Sequence, residues 1–347
     1  MPAKTKHQKG PWITDRFDHC IIVCNPASTR AELAKRRIPE LQALFPAGTV
    51  TVVQTSPKGR HANKEIPYAH ATKLGSRTLL AIIAGDGTIN ILIDALVHDR
   101  RLTKEMRQTV VLPLWGGNGN DLANMLNGPR RRISIKRVLS DGRIVSIHPL
   151  HCEISDPAGQ TESYNAACYA TFGASAFTAS WLDGANHRKR LIHRLPGAKF
   201  THEFIMVLYA MTKAPRFTVD DGTSVKPIYE QFFINGSRFA KIKGLPLSLT
   251  DKTFYRSTVE RKRASAIMYH IIELIRKGST SKVADDGDIS FVVHEPVWAQ
   301  FDGEVVRLSA GTTVRIRLSR QPFYALSTLL QTTTATLPRS SVQRELS

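Results

Sequence analysis

Leu79-Leu80-Ala81-Ile82-Ile83-Ala84-Gly85-Asp86-Gly87-Thr88-Ile89-Asn90 runs from an unbroken apolar segment into a polar turn between glycines. The residues that follow, Ile91, Leu92, Ala95, Leu96 and Val97, recur at helical spacing. This pattern reads as strand, tight turn, helix. Gly85 and Gly87 permit positive φ and let a backbone pass close to a ligand. Thr88 is placed to cap the helix, whose free N–H groups and dipole favour an anion. Asp86 adds a carboxylate, which suits a divalent cation carried by a phosphate. The stretch therefore points to nucleotide phosphate binding, although a lone Gly-Asp-Gly is more often an ordinary turn.

Upstream, residues 20–24 read as a first strand, ended by the polar loop Asn25-Pro26-Ala27-Ser28-Thr29. A helix is expected over 32–45, a second strand over 49–55 and a second helix over 62–74. Downstream, residues 109–114 form a further strand, followed by Gly116-Gly117-Asn118-Gly119-Asn120-Asp121 and a short helix to Asn127. Strands rich in β-branched residues that alternate with helices imply an α/β domain with a largely parallel sheet. Ligands of such sheets bind beyond the carboxyl ends of the strands, where these polar loops lie.

After Gly128-Pro129-Arg130-Arg131-Arg132 the pattern changes. Short strands are expected over 144–155, 164–172, 228–235 and 289–294, with helices over 200–213 and 264–277. Phe301-Asp302-Gly303-Glu304 then precedes a strand over 313–318. This second region reads as β-rich and mainly antiparallel. The expected division is an α/β domain over 1–142, a β-rich domain over 143–320, and an extension over 321–347 that is Thr/Ser-rich from Gln331 and partly mobile.

A chain of 347 residues suits two domains with a sizeable core, and 42% hydrophobic with 22% charged residues excludes disordered and fibrous classes. Charge is less ordinary: 48 Lys+Arg against 29 Asp+Glu leave +19, which draws the chain to anionic partners. Cys20, Cys24, Cys152 and Cys168 show no Cys-x-x-Cys spacing and read as buried thiols. Residues 1–10 are basic and lack an apolar core of the kind a secretory signal needs. No run approaches the roughly 18 apolar residues of a membrane span. The expected setting is the reducing cytoplasm.

Several chemistries are excluded by motif. No Gly-Lys dipeptide exists, so no Walker A loop is possible, and Gly117 to Leu122 fails the dinucleotide fingerprint at its third glycine. Zinc-protease and protein-kinase signatures are missing, and the 12 histidines show no metal-ligand spacing. Phosphate-cradling loops remain, with carboxylates at Asp86 and Asp121 and a second pair, Asp302 and Glu304, from the other domain. Phosphoryl transfer needs that combination: donors around phosphates, a divalent cation and a base for the attacking hydroxyl. Asp302-Gly303-Glu304 taken alone reads more readily as a surface hairpin turn.

Together these motifs resemble the diacylglycerol kinase catalytic family, in particular soluble bacterial lipid kinases related to sphingosine and ceramide kinases. The resemblance runs from about residue 20 to about residue 320. Asn25-Pro26 is similar to the family's first nucleotide loop, and Thr55 falls at a nucleotide-contacting threonine. Gly85-Asp86-Gly87-Thr88-Ile89-Asn90 resembles its G-G-D-G-T-x-N signature, and Gly117-Asn118-Gly119-Asn120-Asp121-Leu122-Ala123 its G-T-G-N-D-F-A motif. Asn165, Gly173 and Asn235-Gly236-Ser237 suit motifs of its second domain, and Asp302-Gly303-Glu304 its D-G-E.

The resemblance implies an NAD kinase/diacylglycerol kinase-like fold, with ATP and Mg²⁺ bound by the first domain and a lipid hydroxyl, such as that of diacylglycerol, entering between the domains. By the same resemblance the nucleotide is held by Asn25, Pro26, Ala27, Ser28, Thr29, Thr55, Ala84 to Thr88, Asn90 and Gly117 to Asp121. Glu304 is then the base with Asp302 beside it, Asp86 organises the metal, and Asp251 is the remnant of a structural Mg²⁺ site, now followed by Lys252. Departures from the family pattern are Ala84 for the first glycine, Ile91 for a glutamate, Trp115 for a proline and Asn118 for the threonine. Asp94, one turn beyond Asn90, reads either as partial compensation for Ile91 or as a solvated helix residue.

Arg130-Arg131-Arg132, Arg188-Lys189-Arg190 and Arg261-Lys262-Arg263 suit either anionic headgroups or plain solvated faces. Aromatic residues make up 7% and do not interleave with basic ones, which disfavours nucleic acid. The expectation is a cytoplasmic lipid kinase peripherally bound to anionic membrane. The rivals are a kinase of a soluble hydroxyl compound like the NAD kinases, disfavoured by G-x-G-N-D, and a catalytically impaired basic membrane- or nucleic-acid-binding protein.

Overall fold

A computed structural model describes residues 16–28, 30–56, 59–117, 119–129, 134–184, 209–239, 242–243, 248–260, 281–284 and 287–330. The first elements are β1 (His19–Cys24), α1 (Glu32–Gln42), β2 (Val50–Gln54), α2 (Arg60–Ala69), β3 (Thr78–Ala84), α3 (Asp86–His98), β4 (Val110–Trp115), α4 (Asp121–Asn127), α5 (Ile135–Asp141) and β5 (Arg143–Ile147). Strands β2, β1, β3 and β4 lie side by side and parallel. Every residue of β3 and β4 is buried, because helices cover both faces of this sheet. Ile21, Leu80 and Ile82 join a core with α2 and α3, whereas Cys20, Ile22, Leu79 and Ile83 join another with α1 and α5. All four cysteines are free and buried, as their sequence context implies.

The segment 144–155, expected as one strand, is two. Pro149, which has no N–H to donate, falls between β5 and β6 (Leu150–Ser155), and the chain there changes sheets. The remaining elements are β7 (Thr161–Ala166), β8 (Tyr169–Gly173), α6 (Ala174–Gly184), β9 (Phe217–Asp220), β10 (Val225–Ile228), β11 (Glu230–Ile234), β12 (Arg238–Phe239), β13 (Ile242–Lys243), β14 (Thr253–Val259), β15 (Ser281–Ala284), β16 (Ile289–Val293), β17 (Val297–Phe301), β18 (Glu304–Leu308), β19 (Thr312–Leu318) and β20 (Phe323–Ser327). They build two 6-stranded antiparallel sheets, β10-β9-β16-β19-β6-β7 and β15-β14-β11-β8-β17-β18. Strand β20 returns to the first sheet, parallel to β4 and antiparallel to β5.

Alternation along β11 shows how the second region is placed. Phe233 packs between the antiparallel sheets, with Phe291 stacked on it at 6.1 Å, while Phe232 and Ile234 point the other way into the core shared with α3 and α4. The sheet carrying the D-G-E element thus lies directly on α3 and α4, the helices that follow the loops after β3 and β4. Among the described residues no helix is long and apolar enough to cross a membrane. The three basic clusters, residues 200–208, the expected helix over 264–277 and the tail from 331 lie outside the described residues.

Candidate active site

Gly85 and Gly87 do not take positive φ. Gly85 is extended (φ −81°) and is the N-cap of α3, which begins at Asp86, so Thr88 lies inside the first turn and caps nothing. Its hydroxyl instead accepts a hydrogen bond from Asn25 Nδ2 at 3.0 Å. Close approach demands glycine at 117, whereas a Cβ on Gly85 would meet only Gly117 Cα at 3.6 Å. A Cβ on Gly117 would stand 2.4 Å from Gly85 Cα, and one on Gly87 3.4 Å from the carbonyl carbon of Gly303. Left-handed backbone occurs at Asn120 (φ 55°), Asp302 (φ 47°) and Gly303 (φ 92°).

Three strand ends are stitched together here. Asn25 Oδ1 accepts from Ala27 N–H at 2.9 Å, and Ser28 Oγ donates to the Gly116 carbonyl. Beyond β4, Asn120 closes its own loop, accepting from Gly117 N–H at 2.9 Å and donating to Gly117 O at 2.7 Å. The Asn120 N–H donates to Asp86 Oδ2 at 2.7 Å. Thr55 is buried at the end of β2, its N–H on Cys24 O at 2.9 Å. Pro26 and Ala27 are exposed at the rim, and buried Ala84 packs under the Gly116 turn. Trp115, where the family has proline, is buried and donates to Asn124 Oδ1 at 2.9 Å. Thr29 and Asn118 lie outside the described residues.

Asp86 as a residue is partly exposed, but its carboxylate is enclosed and Oδ1 has no hydrogen-bond partner among the described residues. Burial, reinforced by the nearby Asp121 charge, raises its pKa to about 7. Such an orphaned, costly oxygen fits a divalent cation, which would restore the ionised form. Among the described residues no three ligating side chains converge, so any ion at Asp86 would draw further ligands from a phosphate and water. Asp251, by contrast, accepts from Ser248 N–H at 3.0 Å within its own turn.

Asp302 and Gly303 are the two central residues of the β17–β18 hairpin, between paired Phe301 and Glu304. Their positive φ values define a type I′ turn, which Asp-Gly favours. Unlike an ordinary surface turn, this one is buried at Asp302, whose carboxylate accepts from Cys168 N–H at 3.0 Å and Tyr169 N–H at 2.9 Å. Burial raises the Asp302 pKa to about 7, with the Asp86 charge contributing. Asn90 donates to Phe301 O of this hairpin at 3.4 Å and lines one small cavity with Asp86 and Asp302.

Glu304 introduces a set of residues that sequence reading did not assemble. It pairs with Arg60 of α2, whose Nη2 also meets Asp94 Oδ2 at 2.7 Å. Lys64, one turn along α2, reaches the same carboxylate at 2.5 Å, and Asn165 donates to its other oxygen. Asp94 is therefore buried and doubly paired, not solvated. Burial pushes the Glu304 pKa up, and Arg60 pulls it back. The sequence signal available was the four-residue spacing of Arg60 and Lys64, which puts both cations on one face of α2.

Residues 19–152 match the family model described as diacylglycerol kinase catalytic domain. A crystal structure of a diacylglycerol kinase from Bacillus anthracis str. Sterne superposes with a TM-score of 0.59 at 16% identity, covering 90% of this chain and 97% of that one. A further structure of a candidate diacylglycerol kinase from the same organism gives 0.61 at 16% identity, with the same coverage. At such identity these likenesses show the fold. No curated protein sequence matches the chain. The family match lies over the loops of Asn25, Asp86 and Asp121, so residues 19–152 are similar to a diacylglycerol kinase catalytic domain.

Proposed function

We propose that the chain is an ATP-dependent lipid kinase that transfers the γ-phosphoryl group to a lipid hydroxyl at an anionic membrane surface. The observation that supports this reading is the packing of the Asp302-Gly303-Glu304 turn against Gly87 at the start of α3. ATP would lie along Asn25 to Ser28, Thr55, Gly85 to Thr88 and Gly117 to Asp121. Mg²⁺ at Asp86 would neutralise phosphate charge. Glu304 takes the proton as the acceptor oxygen bonds to the γ-phosphorus and the bond to ADP breaks, while Asp302 holds the hairpin through its backbone hydrogen bonds. The net charge of +19 favours an anionic surface, each nearby cation contributing about 1 kcal/mol.

The test is phosphate transfer from labelled ATP with Mg²⁺ to lipids of several classes in mixed micelles. Asp86→Ala and Glu304→Ala are each expected to lower turnover by about 10²-fold or more. Activity that survives both substitutions would overturn the site, and a parent inactive on every lipid would overturn the substrate class. One observation favours a soluble acceptor instead: a cleft of about 230 Å³ lined by polar groups including Lys64, Asp94, His98 and Ser163. Soluble polyols in the same assay separate the two readings.

A further inference from the structure

Arg60 is placed where two parts of the site meet. Gly59 turns the chain with φ 87°, and Arg60 is the first residue of α2. In the same turn Asn63 accepts from Ser56 N–H at 2.7 Å and donates to Ser56 O at 3.2 Å, fixing the helix start to the residue after Thr55. The guanidinium is held on several sides: Asp94 at 2.7 Å, the Ser163 carbonyl at 3.0 Å and the Tyr164 ring face at 4.2 Å. These anchors belong to α3 and β7, and they leave Nη1 directed at Glu304 Oε2. A planar guanidinium fixed in this way presents its fork in one orientation, as a lysine ammonium does not. With Oε2 engaged, the Glu304 carboxylate is held by the guanidinium.

We infer that Arg60, anchored by Asp94, is a positioning residue for Glu304 and ties the placement of the base to the strand end that carries Thr55. This inference rests on the proposed role of Glu304. Arg60 then acts on turnover through Glu304 and leaves ATP affinity alone, since its side chain faces the hairpin and not the phosphate loops.

The decisive experiment is a mutant cycle in the full chain, with kcat, KM for the acceptor and Kd for ATP measured separately and folding checked by thermal melting. Arg60→Ala is expected to lower kcat by about 10²-fold, the scale of a misplaced catalytic group, with ATP affinity held within about twofold. Arg60→Lys, which keeps the charge and the fold but not the fork, should recover only part. In a Glu304→Gln background, Arg60→Ala should cost no further kcat, because the group it positions is already gone. Equal losses with and without Glu304, or an Arg60→Lys variant as active as the parent, would overturn the inference while leaving the kinase reading intact. Crystal structures of parent and Arg60→Ala give a readout independent of substrate. Glu304 should occupy one rotamer in the parent and several in the variant, and an unmoved Glu304 would refute positioning even if no lipid were phosphorylated.

Discussion

Asp86 and Asp302 hold their carboxylates in places that favour the protonated form, with pKa raised to about 7 in both. An unfolded aspartate titrates at about 3.9. Between about pH 4 and 7 the folded chain thus retains protons that the unfolded chain has released, and stability falls as pH rises through that window. His98 works in the opposite sense: burial lowers its pKa to about 4, so its contribution is lost as pH falls below about 6.5. Comparison with Asp302→Asn separates the two effects. The parent should lose stability relative to this variant from pH 5 to 8, by about 2.5 kcal/mol, measured by urea unfolding without Mg²⁺. A constant difference across that range would mean that Asp302 is not strained by burial. Added Mg²⁺ should stabilise the parent more at pH 8 than at pH 5, because it binds the ionised Asp86.

The β4–α4 loop is governed by lack of space. A Cβ on Gly119 would stand 2.5 Å from Asp86 Oδ2, so Gly119→Ala must push that carboxylate off the Asn120 N–H. Binding of a fluorescent ATP analogue with Mg²⁺ should weaken by about tenfold or more, on the scale of a lost charge-assisted hydrogen bond. Gly75→Ala, where a Cβ meets nothing within 4 Å, should bind as the parent does. At this scale the sequence was partly legible. The apolar runs of β3 and β4 announce buried parallel strands, and Asp302-Gly303 announces its I′ turn through local backbone preference. The need for glycine at 117 was not legible, since close approach depends on what the chain packs there. Thr88 was misplaced for a related reason: with Gly85 as N-cap, the helix begins ahead of it. The Arg60–Asp94–Glu304 set spans α2, α3 and the β17–β18 hairpin, and no local pattern records such a meeting.

For the whole molecule, the fate of the last strand matters most. Phe323-Tyr324-Ala325-Leu326 is a short apolar run with no local mark of its partner, and long-range pairing inserts it between β4 and β5. Phe323, Ala325 and Leu326 are fully buried there. Asn127 Nδ2 donates to Leu326 O at 3.0 Å, and Ser327 Oγ donates to Leu126 O at 2.6 Å. Removing residues 321–347 would expose the edges of β4 and β5 and open the core beneath α5. Burial of Phe323 and Leu326 alone contributes roughly 3–6 kcal/mol, against a typical total stability of about 5–15 kcal/mol. A chain ending at residue 320 is therefore expected to lose cooperative thermal unfolding or to aggregate, although every proposed catalytic and nucleotide residue remains. A chain ending at residue 330 should melt within a few degrees of the parent, since it keeps β20 whole. Circular dichroism melts of the three proteins decide the matter. A cooperative transition in the 320-residue chain near the parent's would show that β20 is an accessory, and that β5 can close the parallel sheet without it.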